Sequence, residues 1–90
     1  MVKEKIKPSD NSEEVISDIK EIILFNDNFN TFDFVIETLI DICNHEPDQA
    51  EQCAMIVHYK GKCAVKSGST YDLEPIYIEM SNRNLTVEIK

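Results

Sequence analysis

The run Ile22-Ile23-Leu24-Phe25 stops abruptly at three short polar residues, Asn26-Asp27-Asn28, and a few positions later an apolar stripe of helical period begins at Phe32. A short, β-branched run bounded by turn formers reads as a buried strand over residues 21–25. Asn and Asp side chains bond readily to nearby backbone amides, so residues 26–30 form the turn. Phe32, Val35, Ile36, Leu39 and Cys43 follow the i, i+3, i+4, i+7 rule and are expected to face the core, with Phe34 and Ile40 widening the stripe. Asn30 is the expected N-cap of this helix, with Asp33 at its third position. A strand that ends in amide and carboxylate oxygens and turns straight into a helix places fixed acceptors beside an apolar hollow.

The remaining elements follow from punctuation. Asn44 and His45 break the stripe, and Pro47 suits the first turn of a second helix, with Asp48 and Glu51 near its positive end. Ala50, Cys53, Ala54, Ile56 and Val57 make its apolar side. Gly61 is a natural stop, flanked by Lys60 and Lys62. Cys63-Ala64-Val65 reads as a second strand. Over residues 69–82 helical and strand spacings compete; Pro75 is tolerated best at a helix start, so a short helix is expected from near Glu74. Leu85, Val87 and Ile89 alternate with polar residues as a final strand. The order β-α-α-β-α-β implies an α+β fold, a three-stranded antiparallel sheet with three helices on one face. Residues 1–18, rich in Lys, Ser, Asp and Asn, read as a flexible tail, leaving 19–90 as the domain.

Size and charge restrict function. A chain of 90 residues is one domain and buries only about 60% of its unfolded surface, so a shallow pocket is easier to build than a large enclosed active site. No apolar run approaches the ~20 residues that span a bilayer, and no basic segment followed by an apolar run marks a secretory leader, so neither a membrane partner nor export is expected. The formal net charge of −8 disfavours nucleic acid, which demands clustered Lys and Arg, and suits a cationic ligand. Cys43, Cys53 and Cys63 are an odd set, expected as reduced thiols in a cytoplasm.

A second signature, Val57-His58-Tyr59-Lys60-Gly61-Lys62, closes the second helix. Together with Leu24-Phe25-Asn26-Asp27-Asn28 and Phe32-Asp33-Phe34-Val35-Ile36, it resembles the ClpS family, small adaptors that deliver proteins with destabilising N-terminal residues to a Clp AAA+ protease. The resemblance covers residues 21 to about 66 and, less closely, the final strand. It implies a non-enzymatic cytoplasmic adaptor that needs no cofactor. Its partners would be substrates beginning with Phe, Tyr, Trp or Leu and a Clp unfoldase. It also implies that Asn26, Asp27 and His58 bind the substrate's α-amine, and that Asn28, Asn30, Phe32, Val35, Ala54, Val57 and Leu85 shape the specificity pocket. Asn28 stands where many members have a second Asp, Asn30 where Thr is common, Phe32 where a Met often gates the pocket, and Ala54 where a larger Met is frequent. The tail would enter the ATPase pore. The region after Val65 departs from the family pattern where members dock onto the ATPase.

The physics supports such a site. An α-amine has a pKa near 7.7–8.0 and is mostly a cation with three donors at neutral pH. Hydrogen bonds to a charged group contribute about 1.5–3 kcal/mol each, and burial of one large apolar side chain about as much. After the cost of association, micromolar-range affinity is expected. A histidine that accepts from an ammonium must be neutral, so binding should weaken below about pH 6.5.

Other chemistries are weaker. Cys53 and His58 lie five apart on one helix, but a thiol enzyme needs a low-pKa thiolate, an oriented base and an oxyanion site, and Cys53 lies on an apolar helix side. A zinc site from Cys43, His45, Cys53 and His58 lacks a short paired spacing. His45, in the loop between helices, is expected to be solvated. The competing reading is an interaction domain of the same fold that binds an internal segment or regulates the ATPase.

Overall fold

The computed structural model describes residues 19–90; the expected tail at 1–18 lies outside the described residues. The element order is β1 (Ile19–Phe25), α1 (Phe32–Cys43), α2 (Pro47–Lys60), β2 (Lys62–Ser69), α3 (Thr70–Asn82) and β3 (Thr86–Ile89). β1 is the central strand, antiparallel to β2 on one side and β3 on the other. Alternation along β1 turns Ile22 and Leu24 into the core. There they meet Leu39 and Cys43 of α1, Ala50 and Val57 of α2, and Leu73 and Met80 of α3, with Val65 and Val87 from the outer strands. The α+β architecture read from the sequence is the one observed.

Local chemistry explains the boundaries. α2 begins with Pro47 and ends at Gly61, whose φ of +97° is left-handed and whose N–H reaches the carbonyl oxygen of Val57. A side chain at that φ would be strained. α1 is capped by Thr31, whose hydroxyl accepts from the N–H of Phe34 at 3.1 Å; the expected cap, Asn30, is engaged elsewhere. β1 starts at Ile19, two residues before the expected boundary.

Two expectations are corrected. α3 begins at Thr70, four residues ahead of Glu74, because Ser69 caps it by accepting from the N–H of Asp72. Pro75 therefore lies inside the helix, where it forfeits one backbone bond. Leu73 and Met80, both fully buried on either side of Pro75, hold the helix against the sheet despite that loss.

His45 is not solvated. It is only 5% exposed, and its Nε2 lies 2.6 Å from the carbonyl oxygen of Val65. The register explains this. β1 and β2 pair Ile22 with Lys66 but Ile23 with Ala64, so Val65 has no register partner and forms a bulge. Its carbonyl is supplied with a donor by His45 from the α1–α2 connection. Nδ1 of His45 has no partner within the described residues. In α1 the buried positions are Thr38, Leu39 and Cys43, and Val35 and Ile36 pack partly buried against the core, whereas Phe32 is 40% exposed and faces an opening that Val35 also borders.

Candidate functional site

That opening is a cavity of about 630 Å³ between the end of β1, the first turns of α1 and one face of α2. The sheet register draws its parts together. Phe25 pairs with Lys62, and the N–H of Asn26 donates to the carbonyl oxygen of Gly61 at 2.9 Å, one rung beyond the strand. His58, three residues before Gly61, is thereby fixed in the last turn of α2 beside the oxygen-rich end of β1. Its ring meets Tyr59 edge-on, with centroids 4.8 Å apart.

Asp27 organises the loop. Its Oδ1 accepts from the N–H groups of Phe29 at 2.9 Å and Asn30 at 2.8 Å, and its Oδ2 accepts from the Asn30 side-chain amide at 3.0 Å. The same amide donates to the carbonyl oxygen of Asn84 at 2.9 Å, tying the loop to the turn before β3. Partial burial pushes the Asp27 carboxyl pKa upward. The hydrogen bonds from Asn30 and Phe29, with a further one from the Thr86 side chain, outweigh that and hold it below the usual aspartate value. Asp27 is thus a fixed negative charge whose oxygens are already largely engaged.

Asn26, Asp27 and His58 all line this cavity, together with Asn28, Asn30, Phe32, Val35, Ala54 and Val57. Leu85 does not. It is buried in the core just before β3, where its N–H donates to the carbonyl oxygen of Met80. Three lining residues were missed from sequence: Glu51, Met55 and Tyr59. The signal that finds two of them is helical spacing counted backwards from His58, since residues 58, 55, 54 and 51 form one face of α2. Tyr59, 75% exposed, flanks that face.

Two of the thiols, Cys43 and Cys63, are not set up for nucleophilic work. Burial pushes the Cys43 thiol up to about 11, despite the nearby Lys66 ammonium, and its Sγ contacts Sδ of Met80. Burial first, and then Cys53 beside it, raise Cys63 to about 11. Both stay protonated at neutral pH. Among the described residues no group of three His, Cys, Asp or Glu side chains is gathered to hold a metal ion, and no described helix is long and apolar enough to cross a membrane.

A small sheet backed by helices carries an amide–carboxylate–imidazole edge over an apolar hollow, the make-up of a small-ligand or peptide-end binding site. The model of the family described as ATP-dependent Clp protease adaptor protein ClpS matches residues 18–83, and the chain belongs to the ClpS family. Similar proteins include the ATP-dependent Clp protease adapter protein ClpS of Acetivibrio thermocellus, 40% identical over 53 residues, which are 59% of this chain and 52% of that protein. The protein of the same name from Nitratidesulfovibrio vulgaris is 37% identical over 46 residues, covering 49% of this chain and 46% of the relative. That of Salmonella arizonae is 32% identical over 63 residues, covering 70% and 58%. The matches thus span about half the length of these relatives. The fold is also that of Agrobacterium tumefaciens ClpS2 bound to L-phenylalaninamide, with a TM-score of 0.77 at 18% identity over 81% of this chain and 95% of that one.

Proposed function

We propose that the protein is a non-enzymatic adaptor that captures substrates by a destabilising first residue, Phe, Tyr, Trp or Leu, and delivers them to a Clp AAA+ protease in the cytoplasm. One observation carries the reading: Asn26, Asp27 and His58, contributed by the end of β1 and the end of α2, border the same cavity as Phe32, Val35, Ala54 and Val57. A protonated α-amine needs acceptors and negative charge within reach of an apolar recess for the neighbouring side chain, and this cavity offers both. In this reading Asp27 supplies charge from a preset position, Asn26 and His58 offer acceptors, and the first side chain leaves water between α1 and α2. The ligand of the ClpS2 relative, L-phenylalaninamide, has the chemistry of a chain start: a free amine beside an aromatic side chain.

The engagement of both Asp27 oxygens within the loop favours one alternative, an interaction domain that reads an uncharged internal segment. Titration with a Phe-first peptide and its N-acetylated twin separates the two. The adaptor reading requires micromolar-range binding of the free peptide and loss on acetylation. Equal binding of the two would establish the alternative.

A further inference from the structure

Charge is distributed along the cavity in a way the capture of one amine does not use. Among the described residues its only carboxylates are Asp27 and Glu51, and neither Lys nor Arg lines it. Asp27, at the β1 end, lies with Asn26 and His58 where a chain start would be held. Glu51 lies seven residues before His58 on the same face of α2, about 10 Å away at a rise of about 1.5 Å per residue. Between them α2 presents Ala54, a small residue that lines the cavity and is 2% exposed. Met55 and Val57 add apolar lining there. Glu51 has no ion-pair partner among the described residues.

We propose that Glu51 is a specificity-determining residue that extends the accepted chain starts to those with a long cationic first side chain, arginine or lysine. The inference rests on the amine reading above. A ligand that satisfies both ends of the cavity carries two positive charges joined by an apolar stem longer than any neutral first residue requires. An arginine or lysine at position one has that form: the α-amine at Asn26 and His58, the methylene stem along Ala54, and the charged tip at the Glu51 carboxylate. Such stems pack on apolar surface while the charged head stays partly in water. Glu51 is exposed, so the gain is that of a solvent-accessible ion pair, and it falls with added salt.

The test uses full-length protein and four peptides that differ only at residue one: arginine, its neutral isostere citrulline, phenylalanine, and N-acetylated phenylalanine. At low ionic strength the arginine peptide should bind about fivefold more tightly than the citrulline peptide, the upper end expected of an exposed pair. Glu51→Gln should abolish that difference, with a smaller change in phenylalanine affinity than in arginine affinity, which a merely structural role of Glu51 would not do. Equal arginine and citrulline affinities, or an equal loss for every peptide in Glu51→Gln, overturns the inference while acetyl sensitivity keeps the adaptor reading standing. Acetylated phenylalanine binding as well as free phenylalanine removes the adaptor reading, and this inference with it.

Discussion

Asn30 bonds to Asp27 twice, through its backbone N–H to Oδ1 and through its side-chain amide to Oδ2, and the same amide bonds to the carbonyl oxygen of Asn84. The end of β1, the start of α1 and the turn before β3 are joined at this one side chain. The carboxylate that charges the cavity is therefore held by the residue that leads into α1.

Replacement of Asn30 by Ala tests that dependence. The backbone bond survives and two side-chain bonds are lost, so stability should fall by about 1–2 kcal/mol in urea denaturation. Asp27 loses a constraint at the same time, so a Phe-first peptide should bind several-fold more weakly. Unchanged affinity alongside reduced stability would show that the clamp serves the fold and not the site.

Acid should reach the charge of the site only at low pH. Asp27 has a folded pKa below the ordinary aspartate value. The stability it contributes is present above about pH 4 and is lost as pH falls through the lower folded value. Asp27 thus stays ionised throughout mild acid. Peptide binding should therefore keep the Asp27 contribution throughout mild acid. The part of His58 is tested by removing its acceptor: His58→Ala should weaken a Phe-first peptide several-fold. Unchanged affinity of the folded variant would exclude His58 as the acceptor.

Much of this was legible in sequence where a local rule decides the outcome. Pro47 and Gly61 bracket α2 because one fits a helix start and the other a left-handed stop. The polar end of β1 and His58 were marked by the resemblance of their motifs to the ClpS family, since residue type alone reads as an ordinary turn and a surface histidine. What escaped depends on contacts between distant segments. The bulge at Val65 arises in the pairing of β1 with β2, and only that displaced carbonyl makes a buried His45 favourable. Pro75 inside α3 looked prohibitive, but the burial of Leu73 and Met80 overrides one lost bond. Phe32 and Leu39 share one apolar stripe, and periodicity alone does not separate the one that borders the cavity from the one in the core; the family resemblance had already placed Phe32 at the pocket.

His45 gives that lesson a measurable form. His45→Ala leaves the Val65 carbonyl without its donor and opens space under the α1–α2 connection, so the protein should lose about 2–3 kcal/mol. Peptide binding should persist wherever the variant remains folded, because His45 does not line the main cavity. A loss below about 0.5 kcal/mol, the range of an ordinary surface change, would mean that water replaces the imidazole at no cost.

Ala54 offers the most direct probe of how the cavity chooses among side chains. It is buried at the wall between Glu51 and His58, and its small size sets the depth available to a first residue. Ala54→Met adds bulk into open volume rather than into the packed core, so stability should change by less than the about 1–3 kcal/mol that overpacking costs. The largest first side chains lose most room: Trp-first peptides should weaken about tenfold or more and Phe-first peptides less, while Leu-first peptides should hold or improve. The methionine would also block the path to Glu51, so any advantage of arginine over citrulline should vanish with it. Competition binding with peptides that differ only in residue one measures all of these together. A uniform change across Trp, Phe and Leu would place the first side chain somewhere other than against Ala54.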